Sequence, residues 1–125
     1  MATRRTYRVN ADSWTILRDI LVGTPEEFNT DSASLRGRTI DPDSDTWGGQ
    51  MPLDLAIIFR NQVRRGAIRY VIYSYNTPIA YRYQEENMDS PRWVVPNVKY
   101  SVTTSKHQGK VRTAISQISN GYVDV

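Results

Sequence analysis

The chain contains no cysteine. Disulfides, thiolate nucleophiles and cysteine-ligated zinc or iron–sulfur centres are therefore excluded, and the absence fits a reducing cytoplasm. Long apolar runs are missing as well: none approaches the roughly 18 residues a membrane helix needs. Arg4 and Arg5 are followed by no apolar segment, so no signal peptide is expected. A third absence is local. From Ser90 to Val123 there is no acidic residue, while Arg92, Lys99, Lys106, Lys110 and Arg112 all fall there. The net charge of +3 is thus unevenly spread. Such a field favours an anionic partner for the C-terminal half, although a solvated basic face accounts for the same residues.

At 125 residues the chain is expected to form one domain, 1–125, with flexible tails at 1–6 and 121–125 and a loop at 41–50. It is organised around Tyr70 to Gln108, which reads as antiparallel strands running into the start of a helix. Tyr70 and Ile72 alternate with Val71, Tyr73 and Tyr75 across the two faces of one strand. Asn76-Thr77 supplies the turn, with Asn tolerating positive φ and Pro78 fixing the exit. Ile79, Tyr81 and Tyr83 alternate with Ala80, Arg82 and Gln84 on the return, and Gln84 to Pro91 is a polar connection. Trp93–Val95 and Val98–Val102 supply further strand material, bent at Pro96-Asn97 because Pro cannot donate to a ladder.

The remaining segments read as covering helices. Asn10 or Asp12 caps a first helix over about Ser13 to Val22, with Trp14, Leu17 and Leu21 inward and Gly23-Pro25 ending it. Ser34 to Ile40 is expected as an edge strand with Arg36 and Arg38 on one face. Pro52 opens a second helix with Leu55, Ile58, Phe59 and Val63 as its apolar stripe, and Gly66 ends it. Thr103, Thr104 and Ser105 are candidate caps for a third helix with a Val111–Ile115–Ile118 seam, closed at Asn120-Gly121. The expected fold class is α+β: an antiparallel sheet of three to five strands built on a β-hairpin, covered by about three helices.

Three stretches carry a resemblance: SYNTPIAYRY from Ser74, RWVVP from Arg92 and VKYSVTTSKHQ from Val98. Together they resemble a family of small actinobacteriophage proteins, mycobacteriophage proteins especially. Those share a Ser-Tyr-Gly-Thr-Pro-Ile-Ala segment, a tryptophan-proline segment and a Lys/Arg-Tyr-Ser-Val-Thr-Thr-Ser-Lys/Arg-His-Gln segment. Asn76 stands where the family usually has Gly, and the insert from Gln84 to Arg92 is longer than in many relatives. The resemblance implies a phage accessory protein working in a bacterial host cytoplasm; it carries no activity and assigns no site.

No catalytic pattern emerges from the residues themselves. His107, the only histidine, has Ser105 and Thr104 beside it, but neighbours in one helical turn do not form a relay. A polar residue in the first turn of a basic helix is the plainer reading. Asp41-Pro42-Asp43-Ser44-Asp45 starts like a calcium loop, yet Thr46 and Pro52 occupy the positions that require Gly and Glu. No metal, no cofactor and no catalytic residue is therefore expected. A non-catalytic binding role is expected, with a host macromolecule as partner, a protein favoured over nucleic acid. Self-association is left open, and a small enzyme of unrecognised type is the third reading. The candidate binding residues are Arg82, Arg92, Lys99, Lys106, His107, Lys110 and Arg112, with Tyr81 and Tyr83 as rings that stack on bases if nucleic acid is the target.

Overall fold

The structure, a computed structural model, describes residues 6–9, 14–30, 34–44, 46, 48–118 and 122–124. In chain order the elements are β1 (Thr6–Val9), α1 (Trp14–Leu21), β2 (Glu27–Thr30), β3 (Leu35–Thr39), α2 (Leu53–Arg64), β4 (Ile68–Ser74), β5 (Thr77–Tyr83), β6 (Arg92–Val95), α3 (Val102–Ser116) and β7 (Tyr122–Asp124). Among the described residues the strands form one sheet in sequence order. Strands β2 to β6 are an antiparallel meander of five; β1 and β7 extend it at the two edges in parallel.

Those two parallel pairings determine where two helices go. A parallel connection in one sheet crosses over with a right hand. Tracing the strand directions from β1 to β7, β1–α1–β2 and β6–α3–β7 run the same way and step toward the same side. Right-handed crossovers then put α1 and α3 on one face, where Leu17 and Leu21 of α1 and Val111, Ala114 and Ile115 of α3 pack with Phe28, Tyr70, Ile72 and Trp93. The opposite face is covered by α2, whose Phe59 and Val63 pack with Ile68, Val71, Tyr81 and Val94. The sheet is thus buried on both faces.

The α+β class, the hairpin and the three helices agree with the sequence reading. Gly23 and Gly66, with φ of 69° and 79°, follow the ends of α1 and α2 as expected. The caps expected at Asn10 or Asp12 and at Asn120-Gly121, and the side chain of Trp14, lie outside the described residues.

Several expectations need correction. β3 is not an edge strand: it pairs with both β2 and β4. Tyr122–Asp124 is not a tail, because its backbone pairs with Trp93–Val95. Likewise Thr6, expected in the other tail, begins β1. Ile58 does not join the α2 stripe; it is exposed, as are Leu53 and Ile57, since the inward side of that helix is Leu55, Ala56, Phe59 and Val63. Val98 to Tyr100 forms no strand. The helix instead begins at Val102, capped by Ser101, whose Oγ accepts from the Thr104 amide at 3.3 Å. Positive φ falls on Tyr75 rather than Asn76. In β5 an irregularity against β4 turns both Ile79 and Ala80 toward the α1–α3 face.

Gly109 lies in the middle of α3, and a β-carbon added there meets nothing within 4 Å. Gly109→Ala should therefore stabilise the protein by roughly 1 kcal/mol, because alanine loses less backbone freedom in a helix. Urea denaturation of the two proteins measures this directly.

Candidate functional site

The candidate binding residues do not form one patch. Tyr81 is buried on the α2 face with its ring 5.2 Å from that of Phe59, and burial pushes its hydroxyl up to about 12. It cannot stack on a base. Tyr83 donates its hydroxyl to Oε1 of Glu85 at 2.7 Å, and that carboxylate also accepts from Arg65. Arg82 lies over the Trp93 ring, 5.8 Å from its centroid, and donates to the Gly23 carbonyl, tethering the end of α1. Burial lowers the pKa of this guanidinium. Arg92 is exposed at the start of β6, opposite Tyr83. These residues sit at the far end of β5 from the hairpin turn, roughly 20 Å away at strand rise.

The second group lies on α3 and the segment before it, of which Lys99 borders the hairpin turn. Lys99 is exposed in the segment leading to α3, Lys106 is exposed on α3, and Lys110 and Arg112 are half-buried farther along it. His107 is not a solvated first-turn residue. It is only 5% exposed, and its Nδ1 lies 2.7 Å from Oγ of Ser74 at the end of β4. Ser74 Oγ is also 3.1 Å from Thr104 Oγ1, which accepts from Ser101 Oγ at 3.2 Å. Gln108 extends the tie by donating to the Pro96 carbonyl at 3.4 Å. The start of α3, in the third of the stretches that carry the resemblance, thus bonds to the first through Ser74 and to the second through the Pro96 carbonyl.

That network has a serine and a histidine in contact, but not the geometry of a hydrolytic centre. Ser74 is fully buried, and among the described residues no carboxylate pairs with His107 to orient it. We read it as a structural tie between β4 and α3. Burial, and secondarily the charge of Lys110, lower the His107 pKa from 6.5. A depressed histidine pKa means the folded state binds fewer protons than the unfolded state, so stability is full above pH 6.5 and is lost as pH falls from there toward the folded pKa. Urea midpoints at about pH 7.5 and about pH 5 should differ more for the parent than for His107→Gln. Equal differences would place His107 outside the titrating set.

Above the network stands Tyr75, the feature sequence reasoning missed. It is 53% exposed and is the one non-glycine residue with positive φ (54°) among those described. A bulky side chain seldom adopts this conformation, and such strain persists only where the surroundings enforce it. Here the Tyr75 amide donates to the Ser34 carbonyl at 2.6 Å, and its own carbonyl accepts from Arg36 at 2.9 Å. The ring is 6.2 Å from that of His107. Beside it a cavity of about 500 Å³ is bounded by the turn, Gln50, Lys99, Tyr100, Ser101 and Thr104. The Gln50 amide donates to Thr77 Oγ1 at 2.9 Å, so the end of the loop expected at 41–50 is fastened to the hairpin. Val102, 75% exposed, opens α3 one turn before Lys106. Sequence gave no sign of this because Asn76 is the better residue for a left-handed turn.

Residues 23–121 match the model of a protein family described as a family of unknown function, DUF8033. The chain belongs to that family. No curated protein and no solved structure matches it. The DUF8033 match runs from the end of α1 almost to β7, so it takes in the meander, the hairpin turn and the Ser74–His107 tie. Among the described residues no helix is long and apolar enough to cross a membrane.

Proposed function

We propose that the protein has a non-catalytic binding role and engages another protein through the hairpin turn and the start of α3. The observation that carries this is Tyr75, an exposed aromatic ring held in an unfavourable backbone conformation by its amide's bond to the Ser34 carbonyl and by the Arg36 side chain on its own carbonyl. Strain retained at an exposed turn marks a functional position. Tyrosine is also among the residues that dominate binding energy at protein interfaces. Lys99 and Lys106 set a basic rim around it, which suits a partner surface with an apolar pocket and acidic edges. The resemblance to actinobacteriophage proteins supports a protein of the bacterial host as that partner, met in the host cytoplasm.

Nucleic acid is the second reading, resting on the same lysines. It is less well supported because strand-wise binding needs a run of stacking rings, and Tyr81 and Tyr83 are respectively buried and on the α2 face. Affinity capture from host lysate, with and without nuclease, tests both with the parent and three variants. Tyr75→Asn removes the ring while suiting the left-handed backbone, so its thermal stability should match or exceed the parent's. The parent should retain a discrete, nuclease-resistant protein that Tyr75→Asn loses. Retention that vanishes with nuclease, or on replacing Lys106 and Lys110, would favour nucleic acid. Capture lost only in Leu53→Asp/Ile57→Asp would move the interface to the exposed side of α2.

A further inference from the structure

On the other side of the hairpin turn a cavity of about 680 Å³ opens between β3, the loop after it and Asn76. Its floor is formed by Arg36 and Arg38, two residues apart on β3 and therefore pointing the same way. Both are partly buried, and each is held by neutral oxygens. Arg36 donates to the Tyr75 carbonyl at 2.9 Å and to Asn76 Oδ1 at 3.5 Å. Arg38 donates to the carbonyls of Phe28 and Gly37, both at 2.8 Å, and to Asn29 Oδ1. Neither guanidinium has an ion-pair partner among the described residues. Two carboxylates lie close to β3 without pairing to either guanidinium: Glu27 accepts from the Thr39 amide next to Arg38, and Asp41 accepts from the Asp43 amide and the Ser44 hydroxyl.

Two fixed, partly buried guanidiniums with no direct ion pair keep N–H donors for a further acceptor, and an anion that reaches both gains from both charges. Guanidinium groups match the geometry of phosphate oxygens and bind them with charge-assisted hydrogen bonds. The rest of the wall is Tyr73, whose ring Arg36 overlies at 5.5 Å, together with Ile40, Gly49 and the hydroxyl residues Ser44 and Thr46. The volume falls in the range of small-molecule sites. We propose that this cavity binds a phosphate-bearing small molecule of up to nucleotide size, with the phosphate on Arg36 and Arg38 and the uncharged part against Tyr73 and Ile40. The cavity opens on the α2 side of the sheet, and although Arg36 also holds the Tyr75 carbonyl, a ligand titration reads this site separately from protein capture.

Titration of the isotopically labelled parent with inorganic phosphate, AMP and adenosine at low ionic strength, followed by amide NMR, tests it. Saturable shifts at Arg36, Arg38, Gly49 and Asn76 are expected with AMP and phosphate, and none with adenosine. AMP tighter than phosphate supports a nucleotide as ligand; equal affinity supports phosphate itself. Arg38→Gln should weaken AMP binding about tenfold or more, the size of a lost charge-assisted hydrogen bond. Because Arg38 also holds β2, its fold is checked by its own amide spectrum, and Arg36→Lys, which keeps charge but not the planar fork, serves as a second variant with a smaller loss. No shift at these four amides with millimolar AMP or phosphate overturns the proposal. So do shifts confined to Lys99 and Lys106, or equal binding of adenosine.

Discussion

Replacing Ile115 with alanine should destabilise the protein by about 2–5 kcal/mol. Ile115 is fully buried in α3, within the cluster that joins that helix to α1 and the sheet. Deleting three carbons removes their transfer free energy and leaves a cavity whose walls are set by other elements, which cannot all close on it. Val111 and Ala114 beside it are also fully buried, whereas Ile118 packs only at the cluster's margin. The cost should therefore be larger for Ile115→Ala than for Ile118→Ala. Urea denaturation at neutral pH measures both, and a parent-like midpoint for Ile115→Ala would remove α3 from the core.

Gly37→Ala should be nearly as damaging for the opposite reason. A β-carbon built on Gly37 would lie 2.0 Å from the Tyr70 hydroxyl and 2.5 Å from Cε1 of Phe28. The bare strand position lets the Tyr70 ring reach across β3, so that its buried hydroxyl donates to the Glu26 carbonyl at 2.7 Å. Burial raises the pKa of that hydroxyl, so it stays a donor at neutral pH. Overpacking of this kind typically costs about 1–3 kcal/mol, and here a buried hydrogen bond is lost with it. A double-mutant cycle isolates the cause. In a Tyr70→Phe background, where the hydroxyl is already gone, Gly37→Ala should cost less by about 0.5 kcal/mol or more. Strict additivity would mean that the clash with Phe28, and not the Tyr70 hydroxyl, sets the penalty.

The exposed residues separate on similar grounds. Tyr75 is kept in a conformation that asparagine would adopt more readily, so a variant that gains stability while losing capture is the expected outcome there. Ile115 contributes to the fold alone, and its alanine variant should fall in stability without altering what the folded fraction binds.

How much of this was legible in the sequence follows from which interactions are local. The hairpin, the inward Val111 and Ile115 of α3, the left-handed stops at Gly23 and Gly66 and the α+β class were readable, because alternation, helical spacing and turn chemistry act within a few residues. The common side of Arg36 and Arg38 was readable for the same reason. Tertiary structure alone decided the rest. β7 pairs with β6 through a crossover that includes the whole of α3, and a short edge strand of this kind leaves no local signature. His107 looks solvated from its polar neighbours but is buried, because the end of β4 brings Ser74 to its ring from 33 residues away. The candidate set splits because a sheet covered on both faces separates Tyr81 from α3, while β5 carries Arg82 away from the turn and β6 holds Arg92 beside that far end. Charge along the chain counts residues; which of them share a surface is set by the strand pairings that fold the chain back on itself.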